Sequence, residues 1–360
     1  MKETLPAAQR GIVVAVDLGD PRRPLEPELE EFEALARAAG ASVAGRIVQR
    51  RDALDPSTLV GSGKAGEIAD AVRDLGANVV LILNDLRPRQ RKGLERSIQV
   101  PIVDRTMVIL DVFARHARSR EGKLQVELAQ LRYRQSNLIG IGADLSRLGG
   151  GIGTRGPGET KLEVDRRRIA QRVATLKEQL EQVRRQRATR RAAHRREPLV
   201  ALVGYTNVGK SSLLNALART ASTSKGAFVA DQPFATLDPT VRRVYLREES
   251  SVRVVDTVGF ITDLPKDLVA AFRATLEELG EADLLIHVTD ASSHDRERQG
   301  RAVDAILQEL DLDRKPKLVV LNKIDVAQTA PHVPGVLEVS AKTGLGLDRL
   351  RAEIAKAVSP

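Results

Sequence analysis

The chain has 360 residues, of which 42% are hydrophobic and 29% charged, a composition typical of a soluble globular protein with more than one domain. Its formal net charge is +9, and it contains no cysteine, which excludes disulfides and thiolate metal sites. The first residues form no apolar run of secretory type and the apolar patches are too short to cross a bilayer, so we expect a cytoplasmic protein without a membrane anchor.

The first part of the chain alternates between short apolar runs and amphipathic stretches. Short apolar runs bounded by turn residues are typical of buried parallel strands, and the stretches between them have the period of helices. The alternation predicts an N-terminal α/β domain over 1–105 with a mostly parallel sheet. The expected strands are 11–18, 41–48, 78–83 and 100–104, and the expected helices are about 28–39, 64–75 and 88–98.

Within this domain the sequence "GSGKAGEI" (61–68) contains a Gly-x-Gly-Lys pattern. A phosphate-binding loop requires a hydroxyl after its lysine to ligate magnesium, whereas Ala65 follows Lys64. We therefore expect only a glycine turn that begins a helix.

The middle of the chain has two helical stretches with heptad-like apolar spacing. The first is expected as one continuous helix over about 106–135, and a second follows a glycine-rich stretch. Together they predict an antiparallel helical hairpin over 106–197, with a glycine-rich loop at about 140–158. The apolar positions are Leu124, Leu128 and Leu131 in the first stretch, and Ile169, Val173, Leu176, Leu180 and Val183 in the second.

Most of the excess positive charge lies in residues 161–197, which carry 13 basic and 5 acidic side chains, a net charge of +8. Such a basic segment can be a solvated helix face, but its imbalance favours a polyanionic partner such as RNA. The chain has no Trp, three Tyr and six Phe, so contacts to the RNA backbone are expected rather than stacking on bases.

Residues 198–360 alternate again between apolar runs and helical segments. This pattern predicts a C-terminal doubly wound α/β domain, a fold in which ligands bind at the carboxyl ends of the strands. The expected strands are 199–204, 241–246, 252–259, 283–290, 317–325 and 335–340.

The sequence "GYTNVGKS" (204–211) lies between the first of these strands and a helix, and it matches the phosphate-binding pattern G-x-x-x-x-G-K-S. Backbone amides of such a loop surround the phosphates at a helix N-terminus. Lys210 would then contact the β- and γ-phosphates, and the Ser211 hydroxyl would ligate Mg²⁺. The domain is therefore predicted to be a P-loop nucleotide hydrolase.

Further motifs follow in the order that a GTPase requires. In "DTVG" (256–259), Asp256 would hold Mg²⁺ through water, and the Gly259 amide would face the γ-phosphate. "FATLDPT" (234–240) supplies Thr236 as the candidate for a second magnesium-ligating hydroxyl, with Thr240 as the alternative. Lys210, Thr236 and Gly259 are therefore the predicted catalytic residues.

Two motifs near the end of the chain predict guanine as the base. In "NKID" (322–325) the Asp325 carboxylate can accept two hydrogen bonds from guanine, a donor pair that adenine lacks. Asn322 would brace the loop, Lys323 would lie over the base, and "SAK" (340–342) would present the Ala341 amide to guanine.

The full set of residues predicted to bind the nucleotide is Gly204, Tyr205, Thr206, Asn207, Val208, Gly209, Lys210, Ser211, Ser212, Phe234, Ala235, Thr236, Leu237, Asp238, Asp256, Thr257, Val258, Gly259, Asn322, Lys323, Ile324, Asp325, Ser340, Ala341 and Lys342.

Nearly the whole chain resembles the HflX family of ribosome-associated GTPases. Beyond the shared GTPase motifs, three stretches carry the resemblance: 104–133, the glycine-rich "GGGIGTRGPGETKLEVDRRRI" (149–169), and "PFATLDPT" (233–240). The resemblance implies GTP hydrolysis, binding of the large ribosomal subunit, and separation of stalled or idle ribosomes into subunits. It also implies that the N-terminal domain and hairpin engage ribosomal RNA, with Arg155 at the tip.

Because a plain glycine linker needs neither a proline nor an arginine, an RNA contact is the preferred interpretation of the loop around Arg155, with a flexible linker as the alternative. In the basic helix the predicted RNA contacts are Arg166, Arg167 and Arg168. We expect a monomer that binds GTP or GDP, the large (50S-type) ribosomal subunit and its RNA.

Phe260 stands where other GTPases carry a glutamine that orients the attacking water. The resemblance implies that a hydrophobic residue is usual here. Two sources could complete the site: a potassium ion at Asn207, where some related GTPases bind one, or a group supplied by the ribosome. Two other functions stay open, a GTP-gated RNA-binding scaffold and a GTPase acting on structured RNA away from the ribosome.

Overall fold

The computed structural model describes residues 9–20, 23–148, 161–192, 197–218, 233–234, 240–247, 250–262, 279–327 and 334–358. Within these ranges, 138–148, 161–162, 184, 187–192 and 247 are described by their backbone alone. The roles predicted for Arg155, Ala235, Thr236, Leu237 and Asp238 concern residues outside the described ranges.

The first sheet consists of β1 (Gln9–Asp17), β2 (Ala41–Arg50), β3 (Val79–Ile82) and β4 (Ile102–Asp104). Helices α1 (Leu25–Ala38), α2 (Ser62–Asp74) and α3 (Pro88–Ile98) alternate with these strands. All of the pairs are parallel, in the order β2-β1-β3-β4. Side chains of the sheet, α2 and α3 form an apolar core that includes Ile12, Ile68, Val80 and Leu94. The predicted α/β domain with a parallel sheet is confirmed.

The Gly-x-Gly-Lys pattern at 61–68 is a helix start, as predicted. Gly61 has φ of +87° and precedes α2, and Lys64 forms an ion pair with Glu67 of the same helix.

Three helices follow: α4 (Arg105–His116), α5 (Arg120–Leu148) and α6 (Lys161–Ala192). The prediction of one continuous helix over about 106–135 is wrong, because the chain leaves the helix after His116. Ser119 Oγ accepts the N–H of Gly122 at 2.9 Å and so caps the first turn of α5. The break lies in the polar stretch 114–123, which contains no large apolar side chain, so the spacing of apolar residues gives no signal for it.

Helices α5 and α6 contact each other along the predicted leucine seam, and the hairpin is confirmed. Leu128, Leu176 and Leu180 are buried, with Leu124, Leu131 and Val173 packed against them. At the edge of the seam, Arg172 donates from Nε and Nη2 to the two carboxylate oxygens of Glu127, at 2.8 and 3.0 Å.

The second sheet contains β5 (Leu199–Gly204), β6 (Thr240–Arg247), β7 (Ser250–Asp256), β8 (Leu284–Asp290), β9 (Lys317–Asn322) and β10 (Val336–Glu338). The described helices of this part are α7 (Lys210–Ala218), α8 (Arg296–Glu309) and α9 (Leu347–Val358). The strand order is β10-β9-β8-β5-β7-β6, and only the edge strand β6 runs antiparallel to its neighbour. After β5, the chain places β6 and β7 on one side of that strand and β8, β9 and β10 on the other side. This order confirms the predicted doubly wound fold, and the phosphate-binding loop follows the strand at which the order switches.

The chain divides into two compact units, one made of residues 1–115 and 123–180 and the other of 116–122 and 181–360. The three domain ranges expected from the sequence stay a prediction. Among the helices within the described residues, none is both long and apolar enough to span a lipid bilayer.

Candidate functional site

The loop at 204–211 joins the end of the buried strand β5 to the start of α7. Gly209, just before the helix, has φ of +91°, and a Cβ there would lie 2.4 Å from Asn322 Nδ2. Only glycine fits this position without displacing the asparagine. A helix leaves its first amides available to an external acceptor, so the start of α7 is a favourable place for phosphate.

Lys210 lies inside this loop. Its Nζ donates to Gly204 O at 3.0 Å and to Tyr205 O at 2.8 Å, and the residue is 6% exposed. Burial lowers the pKa of Lys210 to about 8, although the carboxylate of Asp256 acts in the opposite direction. The loop therefore holds the buried Lys210 amino group where a phosphate-binding loop places the lysine that contacts the phosphates.

Ser211 and Asp256 come together next to this lysine. The Ser211 hydroxyl donates to Asp256 Oδ2 at 2.5 Å, and Asp256 is fully buried at the end of β7. The neighbouring Thr257 hydroxyl donates to Leu202 O at 2.7 Å, which ties the end of β7 to β5. A hydroxyl and a carboxylate are the oxygen ligands that Mg²⁺ prefers, so these two residues fit the ion that P-loop GTPases use with their nucleotide.

Of the two candidates for the second magnesium hydroxyl, the described residues include only Thr240. It begins β6 directly opposite Asp256 in the antiparallel pairing. Phe234, from the same predicted switch segment, donates its backbone N–H to Thr206 Oγ1 at 3.0 Å and is 2% exposed.

Gly259 and Phe260 lie against the phosphate-binding loop. A Cβ on Gly259 would lie 2.7 Å from Thr206 Cα and 3.1 Å from Lys210 Nζ, so only glycine permits this approach. Phe260 is 1% exposed, and its backbone pairs with the loop through Thr206 N–H to Phe260 O at 2.7 Å. The phenyl ring is in the core and offers no polar atom that could orient an attacking water.

At the other end of the site, Asn322 connects two loops. Its Nδ2 donates to Val208 O at 2.9 Å, and its Oδ1 accepts the N–H of Ala341 at 3.0 Å. The residue is 1% exposed. Asn322 thus braces the phosphate-binding loop against the "SAK" loop.

The residues around Asn322 have fixed partners as well. Lys323 Nζ donates to Asn207 O at 2.8 Å and lies 2.7 Å from Asp290 Oδ2. The Ser340 hydroxyl donates to Asp325 Oδ1 at 2.7 Å. Asp290 was not predicted from the sequence, although its place at the carboxyl end of a parallel strand was a usable signal.

Further residues predicted for the candidate site also lie within the described ranges. Val208 is buried in the loop, Ser212 is in α7, Val258 is buried after β7, and Ile324 donates its N–H to Val339 O at 3.4 Å. In α6, Arg167 and Arg168 are exposed and Arg166 is half-buried. His287, in the strand expected at 283–290, is 4% exposed in β8.

Three family models match successive parts of the chain. Residues 26–114 match the GTP-binding GTPase N-terminal region, 116–194 match the GTP-binding GTPase middle region, and 199–323 match the 50S ribosome-binding GTPase domain. With the doubly wound sheet and the phosphate-binding loop, these matches define a P-loop GTPase.

Two curated relatives are similar over most of their length. GTPase HflX of Caldanaerobacter subterraneus is 46% identical over 353 residues, which is 97% of this chain and 81% of the relative. GTPase HflX of Escherichia coli is 45% identical over 333 residues, 90% of this chain and 77% of the relative. The chain belongs to the HflX family of GTPases.

Among solved structures, the complex of SsGBP with GDP superposes with a TM-score of 0.51 at 23% identity and covers 97% of this chain and 98% of that one. This likeness shows a shared fold.

Proposed function

We propose that this GTPase associates with the large ribosomal subunit and splits or rescues stalled or idle ribosomes, with the bound nucleotide controlling attachment and release. The observation that carries the proposal is the match of residues 199–323 to the 50S ribosome-binding GTPase domain, within a chain that belongs to the HflX family. Ordering of switch loops by the γ-phosphate, and their release after hydrolysis, is the general means by which GTPases make binding depend on nucleotide.

In this proposal the phosphates bind the loop at 204–211. Lys210 would exchange its contacts to the loop carbonyls for contacts to the β- and γ-phosphates. Ser211 and, through water, Asp256 would hold Mg²⁺, with Thr236 as a further ligand. The ion would neutralise phosphate charge, and the Gly259 amide would contact the γ-phosphate.

Guanine would bind the exposed carboxylate of Asp325. One carboxylate oxygen accepts the Ser340 hydroxyl, which orients the group before the base arrives. Asn322 connects the phosphate and base ends of the site, so the distance between these ends is fixed. Lys323, positioned by Asp290 and Asn207 O, would lie along the base.

Hydrolysis then requires a group other than Phe260, whose ring is buried. A potassium ion at Asn207 is one candidate, and a group of the ribosome is the other. Asn207 has φ of +61°, so Asn207→Gly removes the side chain and keeps a backbone that glycine readily adopts. If potassium contributes, hydrolysis should be faster in potassium than in sodium buffer for the natural protein and equal in both for this variant.

RNA contacts are proposed for Arg155 and for Arg166, Arg167 and Arg168 of α6. Arginine side chains can bind RNA phosphates, and such contacts weaken as salt rises. The same basic helix also supports a second candidate function, in which the GTPase acts on structured RNA away from the ribosome.

Sedimentation with purified large subunits separates the two candidates. We expect the protein to sediment with the subunits when a non-hydrolysable GTP analogue is bound and to be released with GDP. Lys210→Ala should lose this nucleotide dependence. Lys64→Ala, which changes the lysine of the other Gly-x-Gly-Lys pattern, is the matched control and should behave as the natural protein. The splitting step is tested by mixing the protein with intact ribosomes and using light scattering to monitor their separation into subunits.

Absence of sedimentation in the GTP-bound state, with binding to structured RNA retained, would overturn the ribosomal proposal in favour of the second candidate.

A further inference from the structure

The segment after Gly259 is joined to the phosphate-binding loop by backbone pairing. Thr206 N–H donates to Phe260 O at 2.7 Å, and Phe260 N–H donates to Gly204 O at 3.1 Å. Tyr205 and Phe260 therefore lie side by side as in a short parallel ladder. This pairing sets the register between the loop and Gly259.

A side-chain contact extends this pairing by two residues. The Tyr205 hydroxyl accepts the N–H of Thr262 at 2.8 Å and is also 2.8 Å from Thr262 Oγ1. Tyr205 is 3% exposed, so water competes poorly for these hydrogen bonds. A buried phenol that bonds both the backbone and the side chain of one residue restricts the movement of that residue.

Gly259 lies between these contacts and Lys210. The position of its missing Cβ is 2.7 Å from Thr206 Cα and 3.1 Å from Lys210 Nζ. Since the packing is this close, a displacement of residues 260–262 along the loop would move Gly259 relative to the lysine.

We propose that Tyr205 is a positioning residue for GTP: its hydroxyl holds Thr262 and thereby keeps the Gly259 amide where the γ-phosphate binds. GDP has no γ-phosphate, so the contact affects GTP binding and hydrolysis and leaves GDP binding unchanged. The inference rests on the nucleotide roles proposed for Lys210 and Gly259, and it is independent of the ribosome.

The test compares two nucleotides on the full-length Tyr205→Phe variant, which loses the hydroxyl and keeps the buried ring. We expect affinity for a non-hydrolysable GTP analogue to fall by about 3- to 10-fold, the range for the net contribution of a hydroxyl's hydrogen bonding to one partner residue, with GDP affinity changing by less than about 2-fold. The kcat for hydrolysis without ribosomes should also fall. Equal losses for both nucleotides, or no loss for the GTP analogue, would overturn the proposal.

A second variant tests whether Thr262 is the partner through which Tyr205 acts. Thr262→Val removes Oγ1 and keeps the backbone N–H, so a smaller loss of GTP affinity is expected. In the double variant the loss should equal that of Tyr205→Phe alone, because both changes remove one shared contact. Losses that multiply would show that the two residues act separately and would contradict the proposal.

Two controls distinguish the failure of this inference from a wrong nucleotide site. Tyr245→Phe removes the hydroxyl of an exposed tyrosine at the end of β6 remote from Asp256, and it should bind both nucleotides normally. If Lys210→Ala binds both nucleotides normally, the site itself is wrong. If Lys210→Ala loses binding and Tyr205→Phe shows no GTP-specific loss, only the positioning role fails.

Discussion

Phe260 occupies the position at which other GTPases place a water-orienting glutamine, yet its ring belongs to the core. The backbone of Phe260 pairs with Gly204 and Thr206, so this residue shapes the site through its amide and carbonyl. A polar side chain attached to the same backbone would enter apolar surroundings and would not reach a phosphate.

Phe260→Gln is therefore expected to destabilise the protein without accelerating hydrolysis. An amide without compensating hydrogen bonds costs about 1–3 kcal/mol when buried, and the free energy of unfolding should fall by this amount. Urea unfolding and a GTPase assay without ribosomes provide the measurements. Phe260→Leu keeps the position apolar and should cost less. Faster hydrolysis by the glutamine variant would show that this side chain can reach the nucleotide.

The lowered pKa of Lys210 predicts a pH-dependent nucleotide affinity. Burial brings this pKa to about 8, whereas phosphate requires the charged ammonium. Nucleotide binding should then draw a proton onto Lys210. We expect GDP affinity to fall as the pH rises above about 8, approaching tenfold per unit, and calorimetry near this pH in two buffers of different ionisation enthalpy to show proton uptake.

The matched variant for this prediction is Lys210→Arg, whose guanidinium stays charged throughout this pH range. Its GDP affinity is expected to be lower than that of the natural protein but independent of pH between about 7 and 9. The same pH slope in both proteins would assign the proton to another group.

At the scale of elements, most strands and helices follow from local periodicity. The central strands of both sheets are short apolar runs, because a parallel sheet buries its strands on both faces. The edge strand β6, with three arginines, does not follow this rule. The residue at which a helix begins or ends can depend on a single capping hydrogen bond, and the spacing of apolar residues gives no information about such a bond. Ser119 caps a new helix within the polar stretch 114–123, where apolar spacing gives no signal.

A buried cluster joins three elements of the first unit. Arg91 of α3 lies 2.6 Å from Asp104 Oδ2 at the end of β4, and it donates to the Tyr133 hydroxyl of α5 at 2.7 Å. The Tyr133 hydroxyl also donates to Asp104. Burial and the neighbouring carboxylate raise the pKa of Tyr133 above its usual range, so the phenol stays a donor. The cluster holds α5 against the sheet.

Asp104→Asn is expected to lower the free energy of unfolding by about 3 kcal/mol, because it leaves Arg91, whose side chain is only 13% exposed, without its opposite charge. Tyr133→Phe should cost about 1–3 kcal/mol. The control is Asp70→Asn, since the Asp70–Arg73 pair is largely exposed and should contribute less than about 1 kcal/mol. Urea unfolding measures all three, and equal losses for Asp104→Asn and Asp70→Asn would show that the cluster contributes no special stability.

At the scale of the whole molecule, the sequence predicts a set of candidate site residues but few of the contacts between them. The motifs occur in a fixed order, and those at 204–211, 256–259, 322–325 and 340–342 lie at or just after the ends of strands of one sheet, so the convergence of these four at one edge follows from the fold. The contact between Tyr205 and Thr262 joins positions 57 residues apart, and it depends on which strands are neighbours. Spacing along the chain contains no signal for such a contact.

The distribution of charge gives a further prediction at this scale. It asks whether RNA binding depends on where the positive charges lie or on the net charge of the whole protein. If the basic helix α6 binds RNA, reversing Arg167 and Arg168 to glutamate should weaken sedimentation with large subunits. It should also lower the slope of log affinity against log salt by about one for each lost phosphate contact. GTP hydrolysis without ribosomes should be unchanged, since neither arginine belongs to the proposed nucleotide site.

The matched control reverses Arg73 and Arg301, whose side chains are both 73% exposed in other parts of the chain. Each pair of reversals removes four units of charge, so the net charge falls from +9 to +5 in both proteins. If long-range attraction set by the total charge governs binding, both variants should bind the large subunit equally weakly. If α6 contacts RNA directly, only the variant with Arg167 and Arg168 reversed should bind more weakly. Short-range phosphate contacts depend on where the charges lie, and salt screens the long-range attraction. Equal weakening would therefore show that α6 contributes charge and no specific contact.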